Sequence, residues 1–292
     1  MSSSEQTAKQ LETDVRMLSC KIGERNPVHY ENLQRAREWL VRSFTGSVGA
    51  PRQQTYAIEG REVANIIATK SGTDPELGSI VVGAHYDSAH GTPGADDNAS
   101  AVAVMLELAR RFAQEKTRHT IEFAGFTLEE PPYFRSENMG SMKLAKEWYD
   151  SGKKIELMIC LEMLGYFTDE KIQEFPVPGM GFIYPEEGNF IAAIGQLGSP
   201  APVISFSDLL KKHSTLPAVS FSGPRIMAGI DFSDHQSFWN YNYPAVMVTD
   251  TAFFRNKNYH TASDTPDTLN YPVMARVVES LFRAIKAFDE KD

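Results

Sequence analysis

The sequence predicts an α/β fold, one domain built on a largely parallel central sheet, and three observations carry that expectation. Apolar runs of strand length alternate with amphipathic stretches of helical period, with no linker, internal repeat or low-complexity tract between them. Successive apolar runs deliver a histidine or a carboxylate at their ends. At 292 residues, with 42% hydrophobic residues and 17 Phe, the chain can bury a sizeable core.

Taken in order, residues 5–22 place Leu11, Val15, Leu18 and Ile22 on one helical face, and 32–44 repeat the pattern with Leu33, Leu40 and Phe44 before Gly46 and Gly49 stop it. Strands over 53–58 and 62–69 follow, joined across Glu59 and Gly60 in a hairpin-like turn. Residues 80–112 read as a buried strand ending at Ala84, a polar loop, and a helix with Val102, Met105, Leu106, Ala109 and Phe112 inward. The apolar run 119–127 leads to Glu129 and Glu130. A helix over 138–149 turns Met142, Ala145, Trp148 and Tyr149 inward, and a strand over 155–161 ends at Glu162. Residues 167–188, broken by prolines and glycines, read as an irregular surface excursion and a candidate lid. Strands near 190–194, 218–221 and 245–249 and a helix near 206–212 come next. A helix over 271–288 closes the chain, with Pro272 in its first turn and Val273, Val277, Leu281 and Phe288 inward.

A formal net charge of −9 supplies no basic face and argues against nucleic acid as a partner. Two cysteines, Cys20 and Cys160, give no disulfide framework and fit a reducing compartment. The first residues show neither a basic nor an apolar leader region, and no run reaches bilayer length, so the expectation is a soluble, cytoplasmic protein without a membrane partner. Nothing here sets an oligomeric state.

Ligands of open α/β sheets sit in the crevice at the carboxyl ends of the strands, which is where the polar residues fall. His85 follows its strand, and the paired acids Asp96 and Asp97 precede the next helix. Glu130 and Glu162 end later strands, and His260 lies in YHTASDT after the strand ending at Thr249. Alone, each reads as a turn or capping residue. Together they meet the needs of two zinc ions about 3.5–4 Å apart: a bridging carboxylate, plus one His and one further carboxylate each. Glu129 is then a spare acid beside the site, able to take a proton from an attacking water and pass it to a leaving amine. Asp87, two residues after His85, can accept from the far ring nitrogen of that His, and Asp264 stands in a similar relation to His260.

The motifs GAHYDS (83–88), PGADDNAS (93–100), the Glu129-Glu130 pair with the following Gly140-Ser141, SDH (233–235) and YHTASDT (259–265) resemble those of the co-catalytic dizinc aminopeptidase family. That family includes bacterial leucyl aminopeptidases, glutamate carboxypeptidases and glutaminyl cyclases, and the resemblance runs from about Leu11 to the last helix. It implies a single zinc-peptidase catalytic domain over 1–292, a three-layer sandwich with a mixed, mostly parallel sheet of about eight strands and helices on both faces. It also implies that Asp97, not Asp96, bridges two Zn2+ ions. His85 and Glu162 would complete one metal site, Glu130 and His260 the other, with Glu129 as general base.

The sequence departs from the family's aminopeptidases in two places. Glu162 stands where they usually carry Asp, and residues 131–138 lengthen the link after the acid pair, as in glutaminyl cyclases. Tyr133 and Phe134 in that link are candidate pocket walls. Arg225 could hold a substrate carboxylate bidentately, and Asp234 could line the pocket or buttress its loop.

The expected activity is that of a zinc-dependent aminopeptidase acting on a peptide or small aminoacyl substrate. Alternatives are a dipeptidase or carboxypeptidase using Arg225, and a glutaminyl-peptide cyclotransferase with one zinc on Asp97, Glu130 and His260. His85 and Glu162, both retained, count against the cyclase. A non-catalytic binding protein on the same fold would be expected to have lost ligands.

Overall fold

The computed structural model describes residues 2–291. An amphipathic helix, α1 (Ser3–Arg16), runs on through a π turn at Met17–Ile22 and is followed by α2 (Tyr30–Thr45). The strands β1 (Arg52–Ile58) and β2 (Arg61–Lys70) form the expected hairpin. After β3 (Ser79–His85) come α3 (Ala101–Phe112), β4 (Ile121–Phe126), α4 (Gly140–Asp150) and β5 (Ile155–Glu162). The last part holds β6 (Ile191–Gln196), α5 (Ala201–His213), β7 (Ala218–Gly223), a short α6 (His235–Trp239), β8 (Ala245–Thr249) and α7 (Tyr271–Asp289).

One 8-stranded sheet results, in the order β1-β2-β4-β3-β5-β8-β6-β7. The four central strands β4, β3, β5 and β8 are mutually parallel, while β2 pairs antiparallel with β1 and β4, and β6 pairs antiparallel with β8 and parallel with β7. The sheet is thus mixed and α/β, with its parallel part in the middle. Successive residues of a strand face opposite layers. Val82 and Ile159 pack with α1, α2, α3, α5 and α7, and Val81 and Met158 pack with α4 and α6. Burial on both faces explains why β3 reads as an unbroken apolar run, and β4 as one interrupted only by Glu122. Because the central strands are parallel, the ends of β3, β4, β5 and β8 open onto one edge of the sheet, and everything chemical lies there.

Two expectations need correction. The fifth helix begins at Ala201, not near residue 206, because Pro200 and Pro202 hide its first turn from a periodicity reading. Tyr149 is 54% exposed and packs on Tyr241 at the surface, since the inward stripe of α4 is Leu144, Ala145 and Trp148. The excursion over 167–188 is irregular, as expected. It contains a bridge between Lys171 and Glu187 and a short 3-10 turn at Met180–Phe182. Its base is also tied to the loop after β8: the Glu174 amide donates to the Phe254 carbonyl at 2.8 Å, and the Gln173 side chain accepts from Thr251 and Arg255. Among the described residues no helix is long and apolar enough to cross a membrane.

Candidate metal centre

His85 is the last residue of β3 and Glu162 the last of β5, so parallel pairing of adjacent strands sets their imidazole and carboxylate side by side. Asp97 comes from the turn Ala95–Ser100 that feeds α3, Glu129 and Glu130 from the loop leaving β4, and His260 from the loop leaving β8. His85 Nε2 lies 3.3 Å from Asp97 Oδ1 and 3.5 Å from Glu162 Oε2. On the other side of the same carboxylate, His260 Nε2 lies 3.0 Å from Asp97 Oδ2 and 3.2 Å from Glu130 Oε2. Asp97 therefore faces one histidine with each oxygen, and two donor sets share it. Glu129 Oε2 stands 3.9 Å from His85 Nε2. His85, Asp97 and Glu130 offer ligand atoms all within 4.8 Å of one another and could hold a metal ion.

Other buried groups brace part of this set from behind. Asp87 sits 3.5 Å from His85 Nδ1, and its two oxygens accept the backbone N–H groups of Glu129 and Glu130, each at 3.2 Å. One buried carboxylate thus ties the β3 end to the acid pair. Glu162 Oε2 accepts from the Ser233 hydroxyl at 2.6 Å and from the Asn98 amide at 3.4 Å, which steadies a side chain one methylene longer than Asp. Asp96 points the other way. Its oxygens accept from the Gly165 amide and the Asn256 side chain, each at 2.8 Å, leaving Asp97 to face the histidines.

The charge pattern is that of a cation site. Burial works against the charged form of His85, yet the carboxylates of Glu162 and Glu129 raise its pKa well above the usual histidine range. His260 is likewise pushed up, to about 10, as Asp97 and Glu130 outweigh its desolvation. Burial raises Glu130 to about 7, with Asp97 adding to the rise, and burial also raises Glu129 well above the usual carboxylate range, with Glu130, Glu162 and Asp234 nearby. Among the described residues, buried His85 Nδ1 and Glu130 Oε1 complete no hydrogen bond.

The remaining predicted residues scatter. Asp264 does not meet His260. Its carboxylate accepts the backbone N–H groups of Asp96 at 2.8 Å and Asp97 at 3.1 Å, so it steadies the turn carrying Asp97 rather than a ring. Tyr133 is drawn toward the β1–β2 hairpin, where its hydroxyl meets Glu59, by a turn closed from its amide to the Glu130 carbonyl. Phe134 packs edge-on against Phe232 and reaches the cavity described below only through that ring. Arg225 is not presented to the cavity: its guanidinium donates to Asn240 and lies over the Trp239 ring. Asp234 is fully buried beneath the site, and burial pushes its carboxyl up to about 7. Its neighbour His235 donates to or accepts from no metal donor, its Nε2 meeting the Ile230 carbonyl at 2.7 Å, and burial lowers it to about 4. Ser233 and Asn98 were not singled out as site residues; SDH and PGADDNAS carried both residues, but not their reach to Glu162.

Beside the centre lies a cavity that touches Glu162 and Tyr259, the latter stacked on His260 with ring centroids 3.8 Å apart. Its walls are mainly apolar and aromatic, among them Phe190, Phe221, Phe232 and Met247, and Phe175 and Met180 of the excursion close one side. None of its lining side chains, among the described residues, is cationic.

The chain is 40% identical over 282 residues to the uncharacterized protein YfbL of Escherichia coli (strain K12), covering 94% of this chain and 86% of that protein. It is 28% identical over 224 residues, 72% of its length, to leucine aminopeptidase 1 of Uncinocarpus reesii (strain UAMH 1704), of which it spans about half (51%). Two solved structures share the fold. BSAP, a zinc aminopeptidase from Bacillus subtilis, superposes with a TM-score of 0.72 at 16% identity, covering 95% of this chain and 94% of that one. The Porphyromonas gingivalis glutaminyl cyclase gives a TM-score of 0.68 at 22% identity, with 96% and 98% covered. The sequence profile of peptidase family M28 matches residues 65–285, and the chain belongs to that family.

Proposed function

We propose that this protein is a dizinc aminopeptidase that removes N-terminal residues with a bulky apolar side chain from peptides or small aminoacyl compounds. The observation that supports this most is the Asp97 carboxylate, with one oxygen 3.3 Å from His85 Nε2 and the other 3.0 Å from His260 Nε2. The donors fit zinc: neutral imidazole nitrogens and carboxylates, one His and one further acid on each side of a shared acid. Two zinc ions held by His85, Asp97, Glu162, Glu130 and His260 would polarise the scissile carbonyl and offset the charge developing on its oxygen.

The chain's own residues supply the rest. Glu129, a buried carboxylate whose affinity for a proton is raised by its surroundings, takes the proton from the attacking water as the new C–O bond forms. It delivers that proton to the leaving amine nitrogen as the C–N bond breaks. Asp87 accepts the Glu129 amide and stands 3.5 Å from the His85 ring, so one carboxylate relates the two. The apolar cavity takes the first side chain and excludes water from it. With no cation on its walls, it does not suit a substrate that must be gripped by a carboxylate there, which weighs against a carboxypeptidase.

One feature favours a second reading, cyclisation of N-terminal Gln: the long link over 131–138 is similar to that of glutaminyl cyclases. That chemistry needs one zinc and leaves His85 and Glu162 as a set without an ion. Elemental analysis of protein purified without chelator, with hydrolysis of aminoacyl anilides by wild type and Glu129→Gln, separates the readings. The expected result is about two zinc ions per chain, Leu and Phe anilides preferred over Ala and Glu, and activity that collapses in the variant while metal stays. One zinc with cyclisation of N-terminal Gln would replace the proposal. No metal and no turnover after zinc is added back would overturn it.

A further inference from the structure

Arg25 lies in the connection between the π turn after α1 and α2, outside the stretch matched by the family profile, and is fully buried. Among the described residues its guanidinium meets no carboxylate in a hydrogen bond. Instead Nε donates to the Tyr86 carbonyl at 2.6 Å, Nη1 to the Pro93 carbonyl at 2.7 Å and Nη2 to the Gly94 carbonyl at 2.8 Å. The backbone takes part as well: the Arg25 amide donates to the Ser88 hydroxyl and the Ser88 amide to the Arg25 carbonyl, each at 3.1 Å. Asn26 adds contacts to the Ser88 and Ala89 carbonyls at 3.2 and 3.4 Å.

These acceptors stand at the two ends of one loop. Tyr86 immediately follows His85, and Gly94 begins the turn that delivers Asp97. A planar fork with donors at fixed angles holds both ends at once, which a single ammonium does not. Gly94 leaves room for it: a side chain there would approach Arg25 Nη2 to 3.2 Å and the Asp97 carbonyl to 2.3 Å, at a φ of +60°. A guanidinium buried on carbonyls alone is costly. The carboxylates facing it from other elements, Asp87, Asp264, Asp97 and Glu130, offset part of that cost through space.

We propose that Arg25 is a positioning residue for the metal centre, its guanidinium fixing the distance between His85 and Asp97 and thereby the metal affinity of the donor set they share. This rests on the dizinc reading above.

The test compares wild type, Arg25→Lys and Val278→Ala, the last a buried position on α7 away from the loop. Circular dichroism and thermal melting establish that each is folded. Zinc affinity is measured by chelator competition, and the visible absorption of the cobalt-loaded protein reports the geometry of its donors. Arg25→Lys is expected to bind zinc at least about tenfold more weakly, the scale seen for groups that orient metal ligands, and to alter the cobalt spectrum. Val278→Ala is expected to melt earlier with wild-type affinity and spectrum. A folded Arg25→Lys with unchanged affinity and spectrum overturns the role of Arg25, as does a Val278→Ala that weakens zinc in proportion to its lost stability. A wild-type protein that binds no divalent ion overturns the metal reading itself, and this inference with it.

Discussion

His85 is 1% exposed, at the end of a central strand, with Glu162 across from it on the next strand, itself held by Ser233 and Asn98. His260 is 32% exposed, sits at a φ of 56° in the loop after β8, and is backed by the ring of Tyr259. One donor set is thus built on paired strands and buried hydrogen bonds, the other on a loop open to solvent. Rigid elements hold ligands more closely than loops do. On the dizinc reading proposed above, the difference predicts two metal affinities: a tight site at His85, Asp97 and Glu162, and a looser, more exchangeable one at His260, Asp97 and Glu130.

The largest effect is expected from Asp97→Ala, which removes the one group both sets share. Neither ion should remain in elemental analysis, and hydrolysis should be lost; one ion retained at wild-type affinity would show the sets to be independent. Glu129→Gln comes next. Turnover should fall by about 10²–10⁴-fold with both ions kept, as for loss of a general base, and a loss of metal would make Glu129 a ligand instead. Dialysis of wild type against a chelator should remove one ion well before the other, with affinities about tenfold or more apart. His260→Ala should abolish only the early phase, whereas simultaneous release in wild type would erase the distinction. The smallest effect belongs to Ser233→Ala, about tenfold in the affinity of the tight site alone. An equal weakening of both sites would mean that Ser233 supports the whole edge of the sheet and not Glu162 in particular.

How far all this could be read from the chain depends on the distance over which each feature is encoded. The strand, loop and helix over 80–112 were legible because period and polarity are local properties of a continuous segment. The donor positions were legible for a related reason: parallel strands bring their ends to one edge, so a polar residue at the end of an apolar run already has an address. Side-chain direction within loops has no such signal. Position in sequence suggests roles for Tyr133 and Asp264, and guanidinium chemistry one for Arg225, but each turns to a different partner in the folded chain. Arg25 was not singled out, because its acceptors lie more than sixty residues away and a lone arginine between two helices has no period to betray it.

The base of the 167–188 excursion and the loop that carries His260 are stitched together by Gln173 and Glu174, while the tip of the same excursion forms a wall of the apolar cavity. Gauge and instrument are therefore mounted on one bracket. On the proposed aminopeptidase reading, a substrate side chain seated against Phe175 and Met180 would press on the segment to which the His260 loop is tied. Selectivity in such an arrangement would register in turnover as well as in binding.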